Sequence, residues 1–271
     1  MLPSLDHITV TDTTPAQLAE LAAATGCGGI CPFLHSMAVL PAMPEYDLAR
    51  DRQALRETRA TLAATGVGVD LVYPFTMAGR TNVPDFAPLL EAGAELGAPL
   101  ANVLCYDRDP VRRTEKLVEL AELAASFGIG LAIEFYPPTQ VRTLAEALAE
   151  IERTGRPDIG VTLDLLHIMR GGDAVASMAL LADPRVRIAQ LADGPAEIAA
   201  DRIEWEAGLQ RLLPGEGAFD IPGFLRGLAP GIPVSLEVPQ QAALEAGRTP
   251  LERARAAVEA LAGVLAATGP T

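Results

Sequence analysis

Short apolar segments alternate along the whole chain with longer segments of helical periodicity. This alternation is typical of successive strand–helix units around a parallel sheet. Eight apolar segments predict strands: DHITV (6–10), CGGICPF (27–33), VGVDLVYPF (67–75), PLANVLCYD (99–107), IGLAIEFYP (129–137), IGVTLDLLH (159–167), VRIAQLADG (186–194) and PVSLEVPQ (233–240).

The segments between these strands predict helices, because capping residues or prolines stand near their starts. These starts are Thr14-Pro15, Pro84-Asp85, Asp109-Pro110 and Thr143. Glycine follows several of the helical segments, as expected of helix ends. The glycines are Gly26, Gly66, Gly97, Gly128 and Gly155. A last helix is predicted over 250–267.

Eight strand–helix units in 271 residues match a (β/α)₈ TIM barrel, which takes about 250 residues. A doubly wound open sheet is the alternative. That fold favours a glycine-rich phosphate loop after the first strand, but the sequence there is TVTDTTPAQ. No linker or composition shift divides the chain, so we predict one α/β barrel domain over 1–271, with the insertion at roughly 195–219 as an active-site loop.

Composition narrows the class of protein. Hydrophobic residues make up 49% of the chain, enough for a sizeable core. The net charge of −14 argues against nucleic acid as a partner, since such proteins neutralise phosphates with Lys and Arg. Three cysteines are too few for a disulfide framework, and neither a basic leader nor a membrane-length apolar run is present. These features predict a cytoplasmic protein without membrane contact.

Polar side chains interrupt the ends of the last four predicted strands. They are Glu134, Asp164, Gln190 and Glu237, here called the strand-end cluster. In a TIM barrel the carboxyl ends of the strands carry the chemistry. A carboxylate within an apolar strand costs several kcal/mol to bury unless it is paired or bound to a cation, so these side chains are expected to point into the barrel mouth.

Converging carboxylates repel one another, and a divalent cation resolves that conflict. An all-oxygen set suits Mg²⁺ or Mn²⁺ better than zinc. The structural alternative is that each acid caps a helix or pairs with a loop arginine. Four such residues on successive strands favour the shared metal site.

Several other residues are candidates for chemistry. His167 follows Asp164 closely enough to reach the mouth as a substrate contact or acid/base group, or it is a buried histidine bonded to backbone. Arg211, beside the glycine-flanked turn LLPGEG, can hold a substrate oxygen, or it is a surface arginine. His35 is a weaker substrate-binding candidate. His7 and Cys105 are expected to be structural.

Five segments carry a family resemblance: LAIEFYPPTQVRTLAEALAEI, IGVTLDLLHIMRGGD, VRIAQLADGP, RLLPGEGAFDIPGFL and PVSLEVP. Together they resemble the sugar phosphate isomerase/epimerase group of the xylose isomerase-like TIM-barrel superfamily. The resemblance covers roughly 129–240 well and the first half of the chain only by layout.

The resemblance implies a divalent metal, commonly Mn²⁺, Mg²⁺ or Co²⁺, with the strand-end cluster as its ligands. It implies that Glu134 and Glu237 are the acid/base pair on the two faces of the substrate. His167 and Arg211 are implied to contact substrate hydroxyls or enediolate oxygens. The resemblance also suggests a homodimer.

The sequence departs from the epimerases at one position. Their strand-seven ligand is usually histidine, whereas this chain has Gln190, followed by Asp193. The superfamily also includes endonuclease IV-like enzymes. With three histidines, the chain cannot build the histidine-rich zinc centre of those enzymes.

The function predicted first is a metal-dependent isomerase or epimerase of a small sugar-like polyhydroxy keto compound, acting through a cis-enediolate. A metal-dependent dehydratase or lyase on a keto-sugar or cyclitol is the second hypothesis, because it starts from the same enolate. A noncatalytic ligand-binding barrel is the third, and it predicts no metal.

Overall fold

The computed structural model describes residues 2–172 and 174–267. Parallel strands from both ends of this range form one sheet, in which Ser4–Asp6 pairs with both Gly29–Cys31 and Val234–Leu236. Within the described part of the chain the strands are β1 (Ser4–Asp6), β2 (Gly29–Cys31), β3 (Gly68–Val69), β4 (Val72–Met77), β5 (Leu100–Cys105), β6 (Gly130–Glu134), β7 (Ile159–Asp164), β8 (Val186–Leu191) and β9 (Val234–Leu236).

The sheet closes into a barrel. The strand order is β3-β2-β1-β9-β8-β7-β6-β5-β4, and β3 and β4 are successive pieces of one chain segment. The seam between β2 and β4 is joined where Phe33 pairs with Tyr73. There the Leu34 amide donates to the Tyr73 carbonyl at 2.8 Å, and the Tyr73 amide donates to the Pro32 carbonyl at 3.1 Å. The predicted TIM barrel is confirmed, and the doubly wound sheet is excluded.

Helices surround the sheet. They are α1 (Pro15–Thr25), α2 (Arg52–Thr65), α3 (Ala87–Glu95), α4 (Pro110–Ser126), α5 (Leu144–Thr154), α6 (Leu165–Arg170), α7 (Ala174–Met178), α8 (Ile203–Leu209), α9 (Ile221–Gly227), α10 (Gln241–Glu245) and α11 (Pro250–Ala267). The predicted caps are confirmed at Thr14, Asp109 and Thr143, whose side chains accept backbone N–H groups. No described helix has the length and apolar character needed to cross a bilayer.

Several of the predicted strand bounds need correction. The first strand is Ser4–Asp6, not 6–10, because the Asp6 carboxylate accepts the Ile8 amide at 3.1 Å and starts a 3₁₀ helix over His7–Val10. The third predicted strand is divided between β3 and β4. The sixth stops at Asp164, where α6 begins. Residues 1, 173 and 268–271 of the predicted domain lie outside the described residues.

Strand alternation places the strand-end cluster on the inner face of the barrel. Leu131 and Ile133 belong to the main core between sheet and helices, whereas Ala132 belongs to a separate small apolar cluster that also includes Ile188. Glu134 shares the face of Ala132, two residues away along its strand. By the same alternation Gln190 shares the face of Ile188.

Candidate active site

The strand-end cluster lies at one end of a cavity of about 440 Å³. Asp164 and Gln190 are paired residues of neighbouring strands, and Glu237 directly follows β9. Glu134 and Glu237 line the cavity, whereas Asp164 and Gln190 are fully buried next to it. The structure therefore brings together the four side chains that the sequence singled out.

Arg211 joins two of these acids. Its Nη1 lies 3.0 Å from Asp164 Oδ2 and its Nη2 lies 3.2 Å from Glu237 Oε1. Its Nε donates to the Ala207 carbonyl at 3.1 Å, and the residue is only 3% exposed. A guanidinium shared between two buried carboxylates offsets part of their mutual repulsion. The structural alternative of a surface arginine is excluded.

Asp193 holds the turn that follows Arg211. Its Oδ2 accepts the Gly215 and Gly217 amides at 2.9 and 3.0 Å, and its Oδ1 accepts the Phe219 amide at 3.1 Å. A Cβ on Gly217 would lie 2.2 Å from Asp193 Oδ1, so this close approach requires glycine. The turn LLPGEG is thus tied to the end of β8, and Arg211 is tied with it.

The insertion over 195–219 covers the cavity, in agreement with its expected role as an active-site loop. Its helix α8 contributes Glu204 and Trp205 to the lining. The helix is fixed by the buried Glu206, whose carboxylate pairs with Arg170 at 2.7 Å.

His167 lies among the acids at the start of α6. Its Nε2 is 3.2 Å from Glu134 Oε1 and 3.3 Å from Asp164 Oδ2. Within the described chain, Glu134, Asp164 and His167 form a group whose ligand atoms lie within 4.8 Å of one another, close enough to hold a metal ion. The sequence predicted a substrate contact or an acid/base role for His167. The structure adds metal ligation as a further possible role.

Two oxygens of the strand-end cluster are buried without a hydrogen-bond partner among the described residues. They are Gln190 Oε1 and Glu237 Oε2. An unpaired buried acceptor costs about 1–3 kcal/mol unless a donor or a cation satisfies it. Two such oxygens beside the Glu134–Asp164–His167 group fit a hard divalent cation.

Buried hydrogen bonds fix the orientation of a side chain in the strand-end cluster. The Thr162 hydroxyl donates to Asn102 Oδ1 at 2.6 Å, so the Asn102 amide nitrogen is directed to Glu134, to which it donates. The sequence analysis missed both of these supporting residues. Their only sequence signal is a polar residue inside an apolar strand, which by itself does not identify a partner.

A second set of buried hydrogen bonds was also missed. Gln190 Nε2 donates to the Tyr73 hydroxyl at 2.5 Å, and that hydroxyl donates to Asp6 Oδ2 at 2.8 Å. Asp6 is the last residue of β1, and the acids of the strand-end cluster likewise stand at the ends of their strands. The predicted first strand, 6–10, placed Asp6 at its start and so hid this signal.

Burial sets the protonation of the acids. It raises the pKa of Glu237 well above its ordinary value, opposed by Arg211 and reinforced by Asp164. It raises the pKa of Asp6 to about 7, opposed by the Ile8 amide and Tyr73. Burial also opposes ionisation of Asp164, but Arg211 and His167 outweigh it, so the pKa of Asp164 is lowered.

The far end of the cavity is apolar and aromatic. Its lining includes Phe33, Met37, Val39, Leu40, Pro74, Phe75, Leu104, Tyr106, Tyr136, Trp205 and Leu209. The Tyr136 ring packs against His167 with centroids 4.7 Å apart and so joins the two ends of the cavity.

The remaining candidates lie apart from the acids. His35 is not among the residues that line the cavity, and its Nδ1 is 2.9 Å from the Ser36 carbonyl. His7 is buried, with Nε2 bonded to the Thr13 carbonyl at 2.9 Å. Cys105 is fully buried, and burial raises its pKa to about 12, which makes it a poor nucleophile.

The chain belongs to the xylose isomerase-like TIM barrel family, whose sequence model matches residues 11–264. This membership confirms the resemblance found in the strand-end motifs.

Known proteins extend this comparison. The chain is 29% identical over 254 residues to a 3-dehydroshikimate dehydratase of Pseudomonas aeruginosa, a match covering 88% of this chain and 38% of that protein. It is 24% identical over 162 residues to an inosose isomerase of Bacillus velezensis, covering 55% of each. The chain thus matches only about a third to a half of the length of these curated relatives. Both relatives are named as enzymes, which agrees with the class of protein expected from the sequence.

The barrel also superposes on solved structures. The IolI protein with a bound zinc atom has a TM-score of 0.79 and 18% identity, with the whole of both chains covered. At this identity the likeness concerns the fold.

Proposed function

We propose that the protein is a divalent-metal-dependent isomerase or epimerase that moves a proton on a carbon next to the ketone of a sugar-like polyhydroxy compound. The observation that carries this proposal is the pair of buried, unpartnered oxygens of Gln190 and Glu237 beside the Glu134–Asp164–His167 group.

The strand-end cluster would hold the metal, with His167 as a further nitrogen donor. The IolI protein, whose barrel superposes on this one, binds a zinc atom, which supports a metal site in this fold. A divalent cation there supplies Lewis acidity, which lowers the pKa of the carbon-bound proton. We expect Mn²⁺, Mg²⁺ or Co²⁺, because oxygen donors predominate.

Two glutamates would move the proton. Glu134 accepts a hydrogen bond from Asn102, which orients its carboxylate as the base. Glu237, on the other side of the site, would return a proton to the substrate as the acid. The intermediate between these steps is a cis-enediolate. Arg211 places positive charge beside its developing negative oxygen.

An unphosphorylated substrate fits the lining of the cavity. Among the described lining residues the basic side chains are Arg211 and His167, and both contact acids. A phosphate would need a cation free to pair with it. We therefore propose an uncharged ketose or keto-cyclitol as the substrate.

Dehydration is the second candidate, favoured by the dehydratase relative that matches 88% of this chain. The first step is the same removal of a proton next to the ketone. The enolate then expels a hydroxyl group from the neighbouring carbon. Glu237 as the acid would give that group the proton that makes it water, instead of returning the proton to carbon.

Elemental mass spectrometry of protein purified without chelator or affinity metal tests the proposal, followed by Mn²⁺ titration of the stripped protein. We expect one equivalent of metal and metal-dependent exchange of a substrate proton in D₂O with ketoses and keto-cyclitols. Exchange with recovered ketone indicates isomerisation or epimerisation, and an unsaturated product indicates dehydration. A protein that binds neither Mn²⁺, Mg²⁺ nor Co²⁺ would contradict the proposal and favour a ligand-binding barrel.

A further inference from the structure

A buried chain of hydrogen bonds crosses the barrel at the wall of the cavity, which Asp6 and Tyr73 line. It runs from Asp6 on β1 through Tyr73 on β4 to Gln190 on β8. We call it the Asp6–Tyr73–Gln190 relay. Its three residues are 1%, 6% and 0% exposed. Each atom in the relay can make few other hydrogen bonds. The donor and the acceptor of each bond can therefore be assigned in turn.

The direction starts at Asp6. In the ionised form of Asp6, one carboxylate oxygen accepts the Ile8 amide at 3.1 Å, and the other accepts the Tyr73 hydroxyl at 2.8 Å. Because a tyrosine hydroxyl has one proton, Tyr73 has only a lone pair left for Gln190. The Gln190 side chain therefore presents its NH₂ group to Tyr73 at 2.5 Å, and its Oε1 is the buried atom that remains without a partner.

Glutamine needs such control more than histidine or glutamate does. Its amide carries one oxygen and one NH₂ group that exchange places by a simple flip of the side chain. A flipped amide would direct its NH₂ group, which cannot ligate a cation, to the place of the oxygen. A glutamate in the same position has two equivalent oxygens and no wrong orientation.

We propose that Asp6 and Tyr73 are positioning residues that keep the carbonyl oxygen of Gln190 available to a divalent cation. This inference rests on the proposed function, since it requires that the site binds metal. Asn102 supplies a parallel within the same barrel, because Thr162 fixes its amide so that the nitrogen serves Glu134.

The first test is the Mn²⁺ affinity of stripped Tyr73→Phe protein, measured by titration calorimetry. Loss of the hydroxyl frees the amide to flip, so we expect the affinity to fall about tenfold, the lower range for loss of a group that orients a metal ligand. Tyr46→Phe is the matched control. It removes a hydroxyl of a half-buried tyrosine, bonded to the Phe33 carbonyl at 3.2 Å and unconnected to Gln190, and is expected to leave the affinity within about twofold.

The second test repeats Tyr73→Phe in a Gln190→Glu background. With two equivalent oxygens at position 190, the hydroxyl has nothing to orient, so the loss of affinity is expected to shrink to within about twofold. A general disturbance of the barrel would give the same loss in both backgrounds.

The third test is Asp6→Asn. The Ile8 amide still needs an acceptor, so the new amide nitrogen faces Tyr73 and turns the hydroxyl proton toward Gln190. In this reversed arrangement the Tyr73 hydroxyl donates to the Gln190 oxygen, which is then less available to a cation. We expect Asp6→Asn to lower Mn²⁺ affinity as much as Tyr73→Phe does. Circular dichroism of each variant checks that the barrel is folded.

The outcomes separate the two proposals. Absence of metal binding by the unaltered protein overturns the proposed function, and this inference with it. Normal binding by the unaltered protein with unchanged affinity in Tyr73→Phe and Asp6→Asn overturns only the relay. Equal losses in the Gln190 and Gln190→Glu backgrounds also overturn it.

Discussion

The two ends of the cavity are built differently. At the acid end, side chains on successive strands are tied to one another by buried hydrogen bonds, as in the contacts of Arg211 with Asp164 and Glu237. At the aromatic end, the lining comes from β4, β5, helix α8 and the loops after β2, β5 and β6, and most of it is apolar or aromatic. Under the proposed function, this difference assigns the reaction to side chains held at the strand ends and the choice of substrate to the aromatic end.

Removing the proton-carrying group at the acid end should have the largest effect. In Glu237→Gln we expect proton exchange in D₂O to fall about 10²–10⁴-fold, the usual contribution of a general acid or base. The neutral amide keeps the shape of the side chain, so circular dichroism should show a folded barrel. Undiminished exchange would remove Glu237 from the proposed acid/base pair.

Removing a ligand at the same end should abolish metal retention. Asp164→Ala deletes an oxygen donor and also leaves the buried Arg211 with one carboxylate partner in place of two. We expect elemental analysis to find no stoichiometric metal, together with a loss of stability of about 3–5 kcal/mol for a broken buried ion pair. A variant that retains one equivalent of metal would exclude Asp164 as a ligand.

Loosening the support of the acid end should have an intermediate effect. Asp193→Ala leaves the Gly215, Gly217 and Phe219 amides without their acceptor, and we expect about 1–3 kcal/mol lower stability in urea unfolding. The rate should fall as well, because the turn that follows Arg211 loses its anchor and Arg211 is positioned less firmly. Asp51→Ala, which removes only the N-cap of α2, is the control. It should cost about 1 kcal/mol without changing the rate, and equal rate losses in both variants would contradict a role for Asp193.

Changing the aromatic end should have the smallest effect. Trp205→Leu keeps an apolar side chain but removes the ring, and we expect KM to rise while kcat changes by less than about twofold. A loss of about 1 kcal/mol of aromatic contact corresponds to a change in KM of about fivefold. Steady-state kinetics separate the two constants. A drop in kcat with unchanged KM would show that this end also takes part in the reaction.

Much of the fold could be predicted from periodicity and caps. The barrel follows from repeated strand–helix units, and the helices α1, α4 and α5 begin at the capping residues found in the sequence. The bounds of the first strand could not be predicted, because the apolar segment 6–10 suits a strand as well as the 3₁₀ helix it forms. Only the contact of Asp6 with the Ile8 amide decides between them.

The strand-end cluster could also be predicted, since a polar residue inside an apolar strand is visible in the sequence. The hydrogen-bond and ion-pair partners of this cluster could not be predicted. Tyr73 is 117 positions from Gln190 along the chain, and no local pattern connects residues on opposite sides of a barrel. Arg211 was predicted to face the substrate, but its pairing with Asp164 and Glu237 depends on how Asp193 holds the following turn.

Tyr73 belongs to the seam that closes the barrel as well as to the relay. Its backbone makes both hydrogen bonds across the seam, to Pro32 and from Leu34, while its side chain holds Gln190. Local opening of the seam would therefore carry the tyrosine hydroxyl away from the amide. If the proposed metal site is correct, metal binding and local opening of the seam are coupled, and we expect a bound cation to slow hydrogen exchange at the Leu34 and Tyr73 amides.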